Sequence, residues 1–182
     1  MDEQNYERLK RQFGSWASWA VWHPNCHHNL DYIEAKVKKL HSGYVFVGHN
    51  PSKDLRKMPH WTNYHYPSNT GKEKLLRETF AGSPYEYSYM TDIFSDQYGS
   101  PNVVTKTSGK LDQAFKRLVM ELKTLEAIAP IKRVFIFGRE TFELWEGRLE
   151  LWHYPVKRLY HFADRNGRFR QSYGPLWHST MK

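Results

Sequence analysis

Short apolar runs separated by longer amphipathic stretches give this chain its main pattern. The clearest run is Tyr44–Val47, which is rich in β-branched and aromatic residues. Such a run is typical of a strand buried on both faces of a parallel sheet. Three more strands are predicted over Tyr87–Phe94, Val134–Phe137 and Val156–Phe162.

The stretches between these runs repeat their apolar residues every three or four positions, as amphipathic helices do. Helices are predicted over Tyr6–Phe13, Leu30–Leu40, Thr70–Phe80, Leu111–Ile128 and Glu140–Trp145. Trp16, Trp19 and Trp22 recur at intervals of three and are expected to pack into the core. The alternation of helices and strands predicts one three-layer α/β/α domain over residues 1–182, with a central four-stranded parallel sheet.

A polar turn, Gly48–Ser52 (GHNPS), directly follows the first predicted strand. Its glycine ends the apolar run, and its proline has no N–H with which to extend a ladder. His49, Asn50 and Ser52 are therefore expected just past the carboxyl end of the strand, where open α/β sheets bind ligands. The same residue types also favour ordinary turns, so a purely structural connection is the alternative.

A polar and aromatic loop, residues 57–71, comes next (KMPHWTNYHYPSNTG). A loop of this kind beside a strand end either walls a pocket for a planar ligand or covers the edge of the core. Trp61, Tyr64 and His65 are among the aromatic and histidine residues of this loop.

The composition favours a polyanionic partner. The chain has 27 Lys and Arg against 19 Asp and Glu, a net charge of +8, and 16% aromatic residues. A basic, aromatic-rich chain is suited to nucleic acid, although aromatic rings serve cores first. A basic protein without such a partner is the alternative.

The cysteine and histidine pattern predicts no metal site. Cys26 is the only cysteine, which excludes an internal disulfide, a four-cysteine zinc site and a four-cysteine iron–sulfur cluster. His23, His27 and His28 surround it at spacings that match no zinc pattern.

The charged start of the chain, MDEQNYERLKRQF, is unlike a signal peptide. No apolar run approaches the roughly 20 residues that span a bilayer. A cytoplasmic protein without a membrane partner is expected.

Taken in order, these segments resemble the uracil-DNA glycosylase superfamily, and the resemblance covers Gly43–Arg168. The GHNPS turn looks like the family's first motif, in the form that carries Asn. Tyr89–Ile93 resembles the strand whose end reads the base, and Val134–Gly138 resembles the next strand. The resemblance implies a four-stranded parallel sheet.

The family's second motif, usually His-Pro-Ser after the last strand, has a weaker counterpart. The register gives His161-Phe162-Ala163, and His178-Ser179 in the tail is the alternative.

The resemblance implies base excision: hydrolysis of the N-glycosidic bond of a uracil-like or modified base in DNA, without metal or cofactor. Asn50 would orient the attacking water, and His161 would donate a hydrogen bond to the base oxygen. The candidate base-binding residues are His49, Ser52, Trp61, Tyr64, His65 and Asp92. The candidate contacts to the backbone of single-stranded or damaged DNA are Lys106, Lys110, Arg165 and Arg168.

Asp92 departs from the family, in which many members carry Asn at this position. An ionised carboxylate only accepts hydrogen bonds, so Asp92 would suit a base edge with two donors and would disfavour uracil. The alternative is that Asp92 caps the adjacent turn or pairs with a basic residue.

Two other functions remain open. The chain is either a module that binds nucleic acid without chemistry, or a protein that binds or converts a free nucleobase or nucleotide.

Overall fold

Five strands and five α-helices form the described part of the chain in a computed structural model, which covers residues 1–26, 28–66, 72–99 and 107–162. The strands are β1 (Ser18–Trp19), β2 (His41–Gly48), β3 (Ser88–Asp92), β4 (Arg133–Phe137) and β5 (Val156–Leu159). The helices are α1 (Glu3–Phe13), α2 (Asp31–Glu34), α3 (Lys72–Phe80), α4 (Ser108–Glu126) and α5 (Arg139–Glu146), with 3₁₀ turns at Val37–Lys39 and Leu149–Leu151.

The strands form one mixed, mostly parallel sheet in the order β1-β3-β2-β4-β5. The four expected strands are present and adjacent, and β2, β3, β4 and β5 all run in the same direction. The expectation of a purely parallel, four-stranded sheet is wrong, because β1 pairs with β3 antiparallel through Ser18–Met90 and Trp19–Tyr89. A strand of two residues is too short to produce a recognisable period.

Side chains alternate across β2 and supply two cores. Val45 and Val47 face a layer that includes α1, α4 and α5, whereas Phe46 faces the opposite layer, which includes α3. The described part of the chain therefore has helices on both faces of the sheet, and the apolar run of β2 is explained by burial on both sides. None of the helices in the described ranges is both long and apolar enough to span a bilayer.

The helix expected over Leu30–Leu40 is instead the short α2 followed by a 3₁₀ turn, with Lys36 outside helical geometry (φ −112°, ψ 11°) between them. Ile33, Val37 and Leu40 are nevertheless buried, as expected. A spacing of three to four residues does not distinguish the two helix types, because a 3₁₀ turn also aligns residues three apart.

Two strands are shorter than expected. Tyr87 has φ 71°, a left-handed conformation that cannot continue a strand, so β3 starts at Ser88. The last strand ends at Leu159 rather than at Phe162. The proposed helix start at Thr70 lies outside the described residues.

Substitution of Phe46 tests the packing of the core on the face of the sheet that lies opposite α4. Its ring is fully buried, stacks on Phe135 at 4.8 Å and meets Phe80 edge-on at 4.7 Å. Phe46→Ala is expected to lower the free energy of unfolding by about 3–5 kcal/mol, because it leaves a cavity. Urea unfolding followed by circular dichroism measures this. Leu149→Ala, at a side chain that is 67% exposed, is the control and should change it by less than about 0.5 kcal/mol.

Candidate functional site at the carboxyl edge of the sheet

The turns after β2 and β3 are joined at the edge where the parallel strands end, here called the carboxyl edge. Gly48 is the register partner of Asp92, and Ile93 N donates to Gly48 O at 3.0 Å. Phe94 N then donates to His49 O at 2.9 Å. The GHNPS turn and the end of β3, two of the segments expected to form a site, are thus one hydrogen-bonded unit.

Asn50 is half-buried in this unit, and its side-chain amide has a fixed orientation. Nδ2 donates to the carbonyl oxygens of Pro51 and Gly99, each at 3.0 Å. Two carbonyl acceptors require the NH₂ end of the amide, so the Oδ1 end must face the other way. Within the described residues, Oδ1 has no hydrogen-bond partner. The side chain therefore presents an oriented acceptor.

Asp92 is buried at the end of β3, and both of its carboxylate oxygens accept a hydrogen bond. The Asn63 amide Nδ2 donates to Oδ2 at 2.7 Å, and the Tyr64 hydroxyl donates to Oδ1 at 2.8 Å. Burial raises the pKa of Asp92 to about 6, although the two donors favour the ionised form. The pKa of Tyr64 is raised as well, first by burial and then by Asp92. The partners of the carboxylate are therefore the side chains of Asn63 and Tyr64, rather than a backbone N–H of the adjacent turn or a basic residue.

The absence of a side chain at Gly48 makes room for this cluster. A Cβ at that position would lie 2.1 Å from Asp92 Oδ1 and 2.4 Å from the Tyr64 hydroxyl oxygen. No heavy atoms approach that closely without displacement. The glycine of the turn is therefore required by a close approach across neighbouring strands.

The loop that carries the candidate stacking rings is folded into the protein. Trp61 and Tyr64 have φ angles of 67° and 65°, in the left-handed region that is costly for bulky residues. The segment is held by Trp61 N, which donates to Gly14 O at 2.6 Å, and by Asn63 Nδ2, which donates to Trp16 O at 2.7 Å. These long-range bonds stabilise a backbone that the local sequence does not favour.

The rings in this loop are therefore buried. Trp61 Nε1 donates to the Tyr6 hydroxyl at 3.0 Å, and its ring packs against Trp19. His65 is stacked on Trp22 at 5.1 Å. Trp61, Tyr64 and His65 line the core rather than an open surface, and their contact with a base remains a prediction.

The remaining turn residues lie in different environments. His49 is buried towards α5, where its Nδ1 shares a 3.2 Å hydrogen bond with Thr141 Oγ1, and its ring lies 5.2 Å from Phe94. Ser52 is exposed at the end of the turn.

His161 follows β5, so β2 and β4 lie between its strand and β3. Its ring stacks on Phe162 at 4.4 Å, and Phe162 meets the Tyr64 ring at 6.1 Å. Aromatic contacts thus connect His161 to the Tyr64–Asp92 pair. His161 also lines a groove of about 720 Å³ between α5 and β5, together with Arg139, Phe142, Arg158 and Tyr160.

A buried polar cluster beneath β3 was not expected from the sequence. The hydroxyl of Tyr89 donates to Glu121 at 2.6 Å, and Trp16 Nε1 donates to the same carboxylate at 3.3 Å. Arg117, which is largely buried, donates to the carbonyl oxygens of Asp92 and Ile93. Burial raises the pKa of Glu121 and lowers that of Arg117. The sequence contained one signal for this cluster: Glu121 is an acidic residue on the apolar stripe of α4, three residues after Leu118.

Of the expected backbone contacts, Lys110 is exposed on the first turn of α4. Lys106, Arg165 and Arg168 lie outside the described residues. Within the ranges that the structure describes, no group of three or more His, Cys, Asp or Glu side chains is arranged to hold a metal ion.

In comparisons with known proteins, the chain matches no protein-family model, and no curated protein is significantly similar to it in sequence.

The raised pKa of Asp92 predicts a pH-dependent stability. Its pKa is about 6 in the folded protein and near 3.8 when unperturbed, so the folded state binds the proton more tightly. The stabilisation is complete below pH 3.8 and is lost as the pH rises through about 6, in total about 3 kcal/mol. Urea unfolding between pH 4 and 7 should show wild type losing stability relative to Asp92→Asn. Parallel curves for the two proteins would contradict the assignment.

Substitution of Gly48 tests the close approach. Gly48→Ala is expected to lower the free energy of unfolding by about 1–3 kcal/mol, because the added methyl overpacks the Asp92–Tyr64 pair. Gly109→Ala is the matched control, since a Cβ there meets nothing within 4 Å and the position is helical. The control should be neutral or stabilising by up to about 1 kcal/mol. Equal thermal stability of Gly48→Ala and wild type would show that the contact of Gly48 with Asp92 and Tyr64 leaves room for a methyl group.

Proposed function

We propose that the chain is a DNA glycosylase-like protein that hydrolyses the N-glycosidic bond of a uracil-like or modified base in DNA. The observation that supports this most is the amide of Asn50, fixed by two carbonyl acceptors at the carboxyl edge and offering Oδ1 as an acceptor. Ligands of open α/β sheets bind at this edge.

Asn50 orients the attacking water in this proposal. Its Oδ1 accepts one water hydrogen and aims the oxygen at the sugar carbon, while the bond from that carbon to the base nitrogen breaks. The base leaves with the electron pair of the broken bond, and the water that has added to the sugar carbon loses its proton to solvent, because an amide cannot take it. The reaction therefore depends on stabilising the negative charge of the departing base.

His161 supplies that stabilisation as a hydrogen-bond donor to the base oxygen. It follows β5, which β4 separates from β2, and lies beside Gly138 at the start of α5. A donor aimed at a developing oxyanion contributes about 3 kcal/mol to transition-state stabilisation.

Asp92 has a positioning role in this proposal. Its oxygens already accept from Asn63 and Tyr64, so direct contact with a base requires that Tyr64 move. The pair instead holds the end of β3 against Gly48, and thereby the turn that carries Asn50. The identity of the base then depends on other contacts at the edge.

The second candidate is a nucleic-acid- or nucleobase-binding module of the same architecture without chemistry. The burial of Trp61 and His65 favours it, because these rings are not available to stack on a flipped base. The net charge of +8 is compatible with both functions.

Base release from labelled DNA separates the two. Single-stranded and duplex oligonucleotides, each with one uracil or one altered base, are incubated with the protein and cleaved with alkali at the abasic sites. We expect cleavage of at least one substrate by wild type and a loss of at least 100-fold in rate for Asn50→Ala. Gln113→Ala, an exposed α4 substitution, should retain the wild-type rate. Salt-sensitive binding without base release would favour the binding module, and absence of both would remove the glycosylase and the nucleic-acid-binding module. Calorimetry with free bases tests the nucleobase-binding form.

A further inference from the structure

A groove of about 520 Å³ lies between α1 and α4, on the layer that covers one face of the sheet. It is lined by Arg8 and Gln12 of α1 and by residues of α4 that include Lys116, Met120 and Lys123. We call this the α1–α4 groove. None of these residues belongs to the carboxyl-edge site.

The two helices that form the groove run antiparallel. The end of α1 lies near the carboxyl edge, since Gly14 O accepts from Trp61 N. The end of α4 lies near the start of β2, where the Ser42 hydroxyl donates to Leu125 O at 3.2 Å. A groove between two antiparallel helices can bind a third helix.

The outer stripe of α4 has an apolar centre between two cations. Lys116, Met120 and Lys123 share one side of the helix, and Ala127 continues the stripe one turn further. Met120 is 53% exposed at the centre of this stripe. Lys116 and Lys123 are two helical turns apart, about 10.5 Å along the axis.

The described residues do not neutralise the cations of the groove. Within the described residues, Arg8, Lys116 and Lys123 make no ion pair and no side-chain hydrogen bond. Their neighbours do: Lys10 pairs with Glu34, and Arg117 lies 3.8 Å from Asp96. No Asp or Glu in the part of the chain that the structure describes lines the groove.

We propose that the α1–α4 groove binds an acidic amphipathic helix of a partner protein. Apolar side chains of that helix cover Met120, Val119 and Ala127, while acidic residues seven positions apart face Lys116 and Lys123. The phosphate backbone of a nucleic acid would pair with the cations but would leave the apolar side chains of the groove exposed to water. A protein helix fits better, because it can cover those side chains and also pair with the cations.

A synthetic helical peptide of 18 residues is the probe, with Leu at positions three and four apart and Glu flanking the stripe at a spacing of seven. Fluorescence polarisation of the labelled peptide measures its affinity for the full chain. We expect saturable binding by wild type, weakened at least tenfold in Lys116→Glu/Lys123→Glu and in Met120→Glu. A peptide with Lys in place of each Glu should bind the double variant more tightly than wild type.

The control is Lys38→Glu/Lys57→Glu, which changes the net charge equally at exposed lysines outside the groove and should alter affinity by less than twofold. Thermal melts verify that each variant is folded. Absence of peptide binding, or equal loss in the control, overturns the proposal. So does a labelled oligonucleotide that loses affinity in the groove variants while the acidic peptide binds them as well as wild type.

Discussion

Gly48 and Asp92 face each other across β2 and β3 with no room for a Cβ between them, and the carboxyl edge depends on this contact. The carboxylate is stable there only because Asn63 and Tyr64 donate to it, and burial still raises its pKa to about 6. A buried acid of this kind costs free energy unless its partners are held rigidly. The left-handed backbone at Tyr64 and the long-range bonds of its loop supply that rigidity.

This contact relates stability to the proposed chemistry. The bonds that join the GHNPS turn to the end of β3 also place the carbonyl oxygens of Pro51 and Gly99 around the Asn50 amide. An oriented acceptor requires such preorganisation, because a freely rotating amide would position water no better than solvent does. Arg117 of α4 also holds the end of β3 in place, because it donates to the carbonyl oxygens of Asp92 and Ile93.

The four parallel strands of the sheet could be predicted, because strands buried on both faces consist of continuous apolar runs such as Tyr44–Val47. The strand Ser18–Trp19 could not, because two residues carry no period and its position depends on pairing with β3. At the site, the turn around Asn50 was predictable from Gly48 and Pro51. The burial of Trp61 was not, because it follows from hydrogen bonds to residues 14–18, far away in the sequence.

The most direct test is a structure of the protein bound to a DNA duplex in which the target nucleotide carries a 2′-fluorine that prevents cleavage. Our account predicts that nucleotide at the carboxyl edge, with a water about 3 Å from Asn50 Oδ1 and facing the sugar carbon. DNA bound on another face, or a carboxyl edge with no nucleotide beside Asn50, would contradict it.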